Sequence, residues 1–261
     1  MLLAIDVGNT NIVLGVFEGA NLAASWRLST DRGRTSDELG ILTTDLLEHR
    51  GIRPEAIDGI MMASVVPPLT RTMIAMTTRY FGRAPVNVDG SFDTGMPVRY
   101  DSPAEVGADR IVNGIAAFER YGRPSARPVI VVDFGTATTF DAISERGEYL
   151  GGAICPGVHI SADALFRRAA RLPRVDVRKP ASVIGRTTIA SMQAGLFWGY
   201  VDLVEGLVRR MRRELGEGAA CVATGGLAEL IAPETTVIEA VDPDLTLIGL
   251  RLVWERQLWR V

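Results

Sequence analysis

The sequence predicts an α/β protein of two related lobes, each a mixed sheet flanked by helices, with a cleft between them. Three observations carry that expectation. A strand-like apolar run ending in Asp-x-Gly-[Asn/Thr] occurs twice, at Asp6-Val7-Gly8-Asn9 and Asp133-Phe134-Gly135-Thr136, roughly one domain length apart. After an opening meander, strands alternate with helices, the pattern of a mixed sheet with helical crossovers. The 261 residues, 47% hydrophobic, are enough for one large domain or two modest ones.

The first lobe opens with Leu2-Leu3-Ala4-Ile5, then Asp6-Val7-Gly8-Asn9-Thr10-Asn11, then Ile12-Val13-Leu14-Gly15-Val16-Phe17. This reads as a buried strand, a tight turn and a returning strand. Gly8 permits close backbone approach or a positive φ, and Asn9, Thr10 and Asn11 supply donors. Successive turn amides make an anion-binding concavity, and Asp6 can hold a hydrated cation beside it. On this stretch alone, a plain hairpin whose Asp and Asn serve only the turn is the better account; the second copy of the motif tips the balance.

A third strand follows over 23–28, and Ser29 to Arg34 reads as a solvated loop. Thr35-Ser36-Asp37-Glu38 resembles a capping box opening a helix that Gly51 closes, with Leu39, Leu42, Leu46 and Leu47 on one face. A strand over 57–66 stops at Pro67-Pro68, a helix covers 69–80, and 85–88 is a short strand. Ser102 as N-cap, Pro103 at N1 and Glu105 at N3 predict a helix start. Gly107 and Asp109 then fall inside that helix against propensity. Such a break so soon after a well-specified start marks a functional stretch, where Gly107 gives space, Asp109 a carboxylate and Arg110 a fixed cation. The alternative is a surface Asp–Arg pair.

The helix is expected to reach Phe118 and end near Gly122. Arg123-Pro124-Ser125-Ala126-Arg127-Pro128 is the best linker, dividing the chain into lobes 1–122 and 123–261. The second lobe repeats the opening: Val129-Ile130-Val131-Val132, Asp133-Phe134-Gly135-Thr136, then a returning strand through Ile143. Gly147 makes a hairpin turn, and Tyr149 to Gly157 is a glycine-rich strand and turn, followed by a helix over 161–172. Thr187 or Thr188 caps the longest helix, whose stripe is Ile189, Met192, Leu196, Tyr200, Leu203, Leu207 and Met211. A hydroxyl there also suits an anionic ligand group. Thr224-Gly225-Gly226 is a strand end and glycine turn, and an amphipathic helix over 245–258 carries Trp254 and the following Trp259.

Composition excludes several functions. Lys+Arg 28 against Asp+Glu 31, net −3, gives no basic excess for a nucleic-acid binder. Lys179 is the single lysine, so no P-loop is possible, and no Gly-x-Gly-x-x-Gly occurs. Phosphate handling must fall to backbone amides, arginine, hydroxyls and cations. No apolar run approaches a membrane span. Cys155 in a Gly/Pro turn and Cys221 in an apolar run read as packed residues of a reduced, cytoplasmic protein with no signal peptide. His49 reads as a cation near a helix C-terminus and His159 as a loop residue, without metal-ligand spacing.

The paired Asp-Gly turns resemble the sugar-kinase, heat-shock-protein and actin superfamily, which implies two actin-like, ribonuclease H-like lobes. Five motifs in order resemble one of its families, the type III pantothenate kinases. They are Asp6-Val7-Gly8-Asn9-Thr10, Gly107-Ala108-Asp109-Arg110, Asp133-Phe134-Gly135-Thr136, Gly151-Gly152-Ala153-Ile154-Cys155-Pro156-Gly157 and Thr224-Gly225-Gly226. The resemblance covers the whole chain. It implies transfer of the ATP γ-phosphoryl group to pantothenate, the first step of coenzyme A synthesis, with Asp109 as general base. It further implies ATP contacts along Asp6, Val7, Gly8, Asn9, Thr10, Asn11, Ile12 and Val13 and at Thr136 and Gly225, with Mg²⁺ held near Asp6 through water. Asp133 would help bind a monovalent cation, K⁺ or NH₄⁺. Tyr100, Gly107, Ala108, Asp109 and Arg110 would contact pantothenate, with Thr188 supplied by the other subunit of a homodimer. A non-catalytic nucleotide-binding regulatory relative and a sugar kinase of the same superfamily are the rival readings.

Overall fold

A computed structural model describes Met1–Leu258; Trp259, read above as carried by the final helix, lies outside the described residues. In chain order the strands and helices are β1 (Leu2–Val7), β2 (Asn11–Glu18), β3 (Asn21–Ser29), α1 (Ser36–His49), β4 (Gly59–Ser64), α2 (Pro67–Phe81), β5 (Val86–Val88) and α3 (Ala108–Ala117). Then come β6 (Val129–Phe134), β7 (Ala137–Ile143), β8 (Tyr149–Pro156), α4 (Val158–Arg168), α5 (Thr188–Leu215), β9 (Ala220–Gly225), α6 (Ala228–Ile231), β10 (Ala240–Val241) and α7 (Leu245–Leu258).

Two five-stranded sheets share one plan. The first runs β3-β2-β1-β4-β5 and the second β8-β7-β6-β9-β10. In each, an antiparallel meander supplies three strands and two more join in parallel. The duplicated turn motif therefore belongs to a duplicated mixed sheet.

The first unit comprises Met1–Met96, Tyr100–Ala116 and the helix from Leu245; the second comprises Pro97–Arg99 and Ala117–Asp244. This corrects the sequence division at 122/123. The change of unit falls inside a continuous helical run, where α3 passes into a π-helical turn over Phe118–Gly122. The C-terminal helix, moreover, completes the first unit. It packs on β1, β2 and β4, and glycines make that fit possible. A β-carbon on Gly59 would lie 2.3 Å from the Trp254 ring, one on Gly15 2.7 Å from Leu247, and one on Gly249 2.1 Å from the Val112 carbonyl oxygen.

In the first unit Leu3, Ile5, Leu14 and Met62 meet Leu39 and Leu47 of α1 and Leu69 and Met73 of α2. The capping box forms as expected: Thr35 Oγ1 accepts from the Glu38 N–H, and Glu38 accepts from the Thr35 N–H at 2.7 Å. His49 stands in the last turn of α1. In the second unit Ile130, Val132 and Phe140 pack against Phe197, Val201, Val204 and Val208 of α5. The expected stripe is core except at its first position: Met192, Leu196 and Tyr200 are buried and Leu203, Leu207 and Met211 pack against the core, while Ile189 is exposed. His159 lies in α4, which begins at Val158 because the turn closes at Gly157, rather than in a loop. Cys155 belongs to β8 instead of a turn. Cys221 is buried in β9, where desolvation pushes its thiol up to about 12.

Candidate active site

Asp6 and Asp133 occupy equivalent places, the next-to-last residue of the central strand in each sheet. Asp6 faces Val13 on the antiparallel side and Ala63 on the parallel side; Asp133 faces Thr139 and Thr224 in the same way. The central strand of a mixed sheet is buried by neighbours on both edges, so a carboxylate survives there only at the open end.

Beyond Asp6 and Val7 the chain turns tightly. The Gly8 N–H donates to the Asn11 carbonyl at 2.9 Å, without a positive φ at Gly8. A β-carbon at Gly8 would lie 3.0 Å from that carbonyl, so tightness alone favours glycine here. Asn9 and Thr10 project to solvent, while Ile12 is buried and Val13 half-buried as β2 resumes. The turn is braced by residues that the sequence left in a solvated loop. Thr30 Oγ1 donates to the Gly8 carbonyl at 2.7 Å, the Thr30 N–H donates to Thr10 at 3.0 Å, and Arg32 donates to Asn9 Oδ1 at 3.1 Å. The signal was available, since pairing of β2 with β3 sets Asn11 against Ser29 and carries the next residues to the turn.

The stretch around Asp109 departs from the sequence expectation. A short 3₁₀ turn over Pro103–Glu105 ends at Val106 in extended backbone, and Ser102 makes no side-chain cap. The helix α3 begins only at Ala108. Gly107 therefore precedes the helix and Asp109 sits in its first turn, where a carboxylate suits the helix dipole. The conflict with propensity disappears once the helix is placed correctly. Asp109 Oδ1 accepts from the Arg110 N–H at 2.9 Å. Asp109 is half-buried, and the partial loss of water pushes its pKa above the ordinary 3.8, with the Arg110 N–H and guanidinium partly opposing the shift. Ala108 is buried, Arg110 half-buried and Tyr100 exposed at 37%.

In the second unit, glycines crowd the equivalent turn. A β-carbon on Gly225 (φ +89°) would fall 2.5 Å from Asp133 Oδ1, and one on Gly157 2.1 Å from the Thr136 carbonyl oxygen. The ends of β6, β8 and β9 thus meet around Asp133 and Thr136. Tyr200 holds the β8 end from below: its hydroxyl donates to the Pro156 carbonyl at 2.6 Å. Thr188 is on a separate element, exposed at the first residue of α5, and Thr187 is the N-cap, accepting from the Ala190 N–H at 3.1 Å.

Among the described residues no group of three or more His, Cys, Asp or Glu could enclose a metal. Asp6 alone fits an ion that keeps most of its water and leans on substrate phosphates, as Mg²⁺ does. Asp133 offers a carboxylate at its strand end, with Gly225 packed close against its Oδ1.

A family model described as type III pantothenate kinase matches residues 2–210. The chain belongs to that family. As a type III pantothenate kinase it has relatives of the same name in Moorella thermoacetica, 56% identical over 256 residues and covering 98% of this chain and 99% of the relative, and in Myxococcus xanthus, 56% identical over 98% of each. Solved structures share the fold at lower identity. A Baf-family protein of Campylobacter jejuni superposes with a TM-score of 0.62 at 19% identity, covering 98% of each chain. A polyphosphate/ATP-glucomannokinase of Arthrobacter gives 0.52 at 16%, again over 98% of each. No described helix of this type III pantothenate kinase is long and apolar enough to cross a membrane.

Proposed function

We propose that this protein transfers the γ-phosphoryl group of ATP to the primary hydroxyl of pantothenate, giving 4′-phosphopantothenate at the head of coenzyme A synthesis in the cytoplasm. One observation carries the chemistry: a carboxylate, Asp109, in the first turn of a helix, with its affinity for a proton raised by burial. A base so tuned takes a hydroxyl proton more readily than an exposed aspartate.

Asp109 accepts that proton as the hydroxyl oxygen bonds to the γ-phosphorus and the bond to the β–γ bridging oxygen breaks, releasing ADP. Transfer of this kind depends on positioning and charge neutralisation more than on covalent work by the protein. In the first unit Asp6, Val7, Gly8, Asn9, Thr10, Asn11, Ile12 and Val13 bind the nucleotide; in the second, Thr136 and Gly225 are its contacts. Asp6 would hold Mg²⁺ through water, and Asp133 would hold K⁺ or NH₄⁺. When bound, these ions supply positive charge at the phosphates of a protein with no P-loop lysine. Tyr100, Gly107, Ala108 and Arg110 bind and orient pantothenate, and Thr188 reaches the site from the second chain of a homodimer.

ADP release measured across pantothenate, glucose and N-acetylglucosamine tests the reading. Turnover with pantothenate alone is the expected result. Turnover with a sugar, or none with any acceptor, would overturn it.

A further inference from the structure

A fully buried polar pair stands at the start of β8. The Tyr149 hydroxyl donates to Asp141 Oδ1 at 2.7 Å, and Thr139 Oγ1 donates to Asp141 Oδ2 at 3.1 Å. Asp141 and Tyr149 are both 0% exposed. An apolar pair of similar volume would fill this place without desolvating a carboxylate, so packing alone does not account for it.

The backbone of the same tyrosine holds another segment. Its N–H donates to the Pro97 carbonyl at 2.9 Å and its carbonyl accepts from the Arg99 N–H at 2.8 Å, closing a parallel bridge opposite Val98. Arg99 adds Nε and Nη2 donors to Glu148 Oε1 at 2.9 and 2.6 Å. Tyr100 is the next residue in the chain.

The ladder is irregular at this point. Ala142 faces Gly151 but Ile143 faces Tyr149, leaving Leu150 as an extra residue, and Gly151 has φ +125°. A bulge loosens what the ladder alone defines. The hydroxyl bond to Asp141 reaches back across the bulge and adds a side-chain tie to the backbone pairing of Tyr149 with Ile143.

We propose that Tyr149, oriented by Asp141, is a positioning residue for acceptor binding: it sets the place of Pro97–Arg99 and so the point from which Tyr100 departs. The inference rests on the proposed role of Tyr100 in binding pantothenate. Tyr149 acts through that segment and touches no reacting atom.

Steady-state kinetics of Tyr149→Phe and Glu148→Ala, with hydrogen exchange at the Arg99 amide and thermal melts, provide the test. Loss of the Tyr149–Asp141 bond, or of the two Arg99–Glu148 bonds, predicts a KM for pantothenate raised about 3–10-fold in each variant. The KM for ATP and kcat should stay within about twofold, and the Arg99 amide should exchange faster. A lowered Tm with both KM values unchanged, or both KM values raised together, would overturn the proposal. If Tyr149→Phe does not fold, the variant at half-buried Glu148, Glu148→Ala, decides alone. Tyr100→Ala separates the two levels. If it leaves the pantothenate KM unchanged, the role of Tyr100 falls and this inference with it. If it raises that KM while the Tyr149 and Glu148 variants do not, the positioning role alone falls.

Discussion

Asp109 Oδ1 occupies the space that a β-carbon on Gly107 would need, 2.5 Å away. The glycine is therefore part of how the carboxylate is aimed. Gly107→Ala should push the carboxylate off its position while leaving the helix start intact. Misplacement on the scale of 1 Å can cost about 10²-fold in rate, so kcat should fall by roughly one to two orders of magnitude with little change in Tm. A variant with wild-type kcat would detach Asp109 from the chemistry.

Asp109→Asn tests the same carboxylate through pH. The folded protein binds the Asp109 proton more tightly than the unfolded chain, because burial raises the pKa above 3.8. Its stabilising contribution is thus complete at low pH and is lost as pH rises through the raised value. Asparagine stays neutral, so the variant should match or exceed the wild-type Tm at pH 8 and lose that advantage near pH 4. Turnover should drop about 10²–10⁴-fold. In the wild type the acid limb of kcat/KM should fall at a pH above 3.8, where the base becomes protonated.

Gly225→Ala places a methyl group against Asp133 and strains a backbone at φ +89°. The strain should cost about 1–3 kcal/mol of stability. If Asp133 holds a monovalent cation, the K⁺ or NH₄⁺ concentration giving half-maximal activity should rise as well. Asp133→Ala should weaken the ion requirement together with activity. Full rate of the wild type in choline-only buffer would remove the monovalent ion from the mechanism.

A composite site predicts complementation between chains. Asp109→Asn and Thr188→Val are each expected to be nearly inactive. Denatured together and refolded, they form mixed dimers in which one site carries both lesions and the other neither. Activity should then recover towards about a quarter of wild type with random pairing. No recovery, with subunit exchange confirmed by mass, would leave Thr188 as a helix-terminal residue only.

Much of this architecture was legible in the sequence, for identifiable reasons. Asp6-Val7-Gly8 and Asp133-Phe134-Gly135 are local signals, and both emerge at equivalent strand ends. Thr35 and Glu38 interact three residues apart, so their pairing needs nothing distant. What failed depended on long-range contact. Ser102-Pro103 reads as a helix start, yet extended backbone at Val106 delays the helix to Ala108. On α5 the expected stripe does pack on the core, and the second sheet adds Phe197, Val201, Val204 and Val208, which the stripe left out. The place of α7 was hidden because its partners are holes, at Gly15 and Gly59, in strands more than a hundred residues earlier. The bracing of the first turn by Thr30 needed only the strand register, and was missed because the loop looked merely polar.

The packing of α7 on β1, β2 and β4 also fixes an order of events on the ribosome. Residues 117–244 leave the exit tunnel as an unbroken run, able to close their sheet as soon as they emerge. The sheet begun by Leu2 must wait with one face uncovered until Leu245, Leu247, Leu250 and Val253 arrive to bury it. The half of the protein made first is thus the half finished last. During that interval its exposed strands depend on the speed of translation, or on a chaperone, for protection against aggregation.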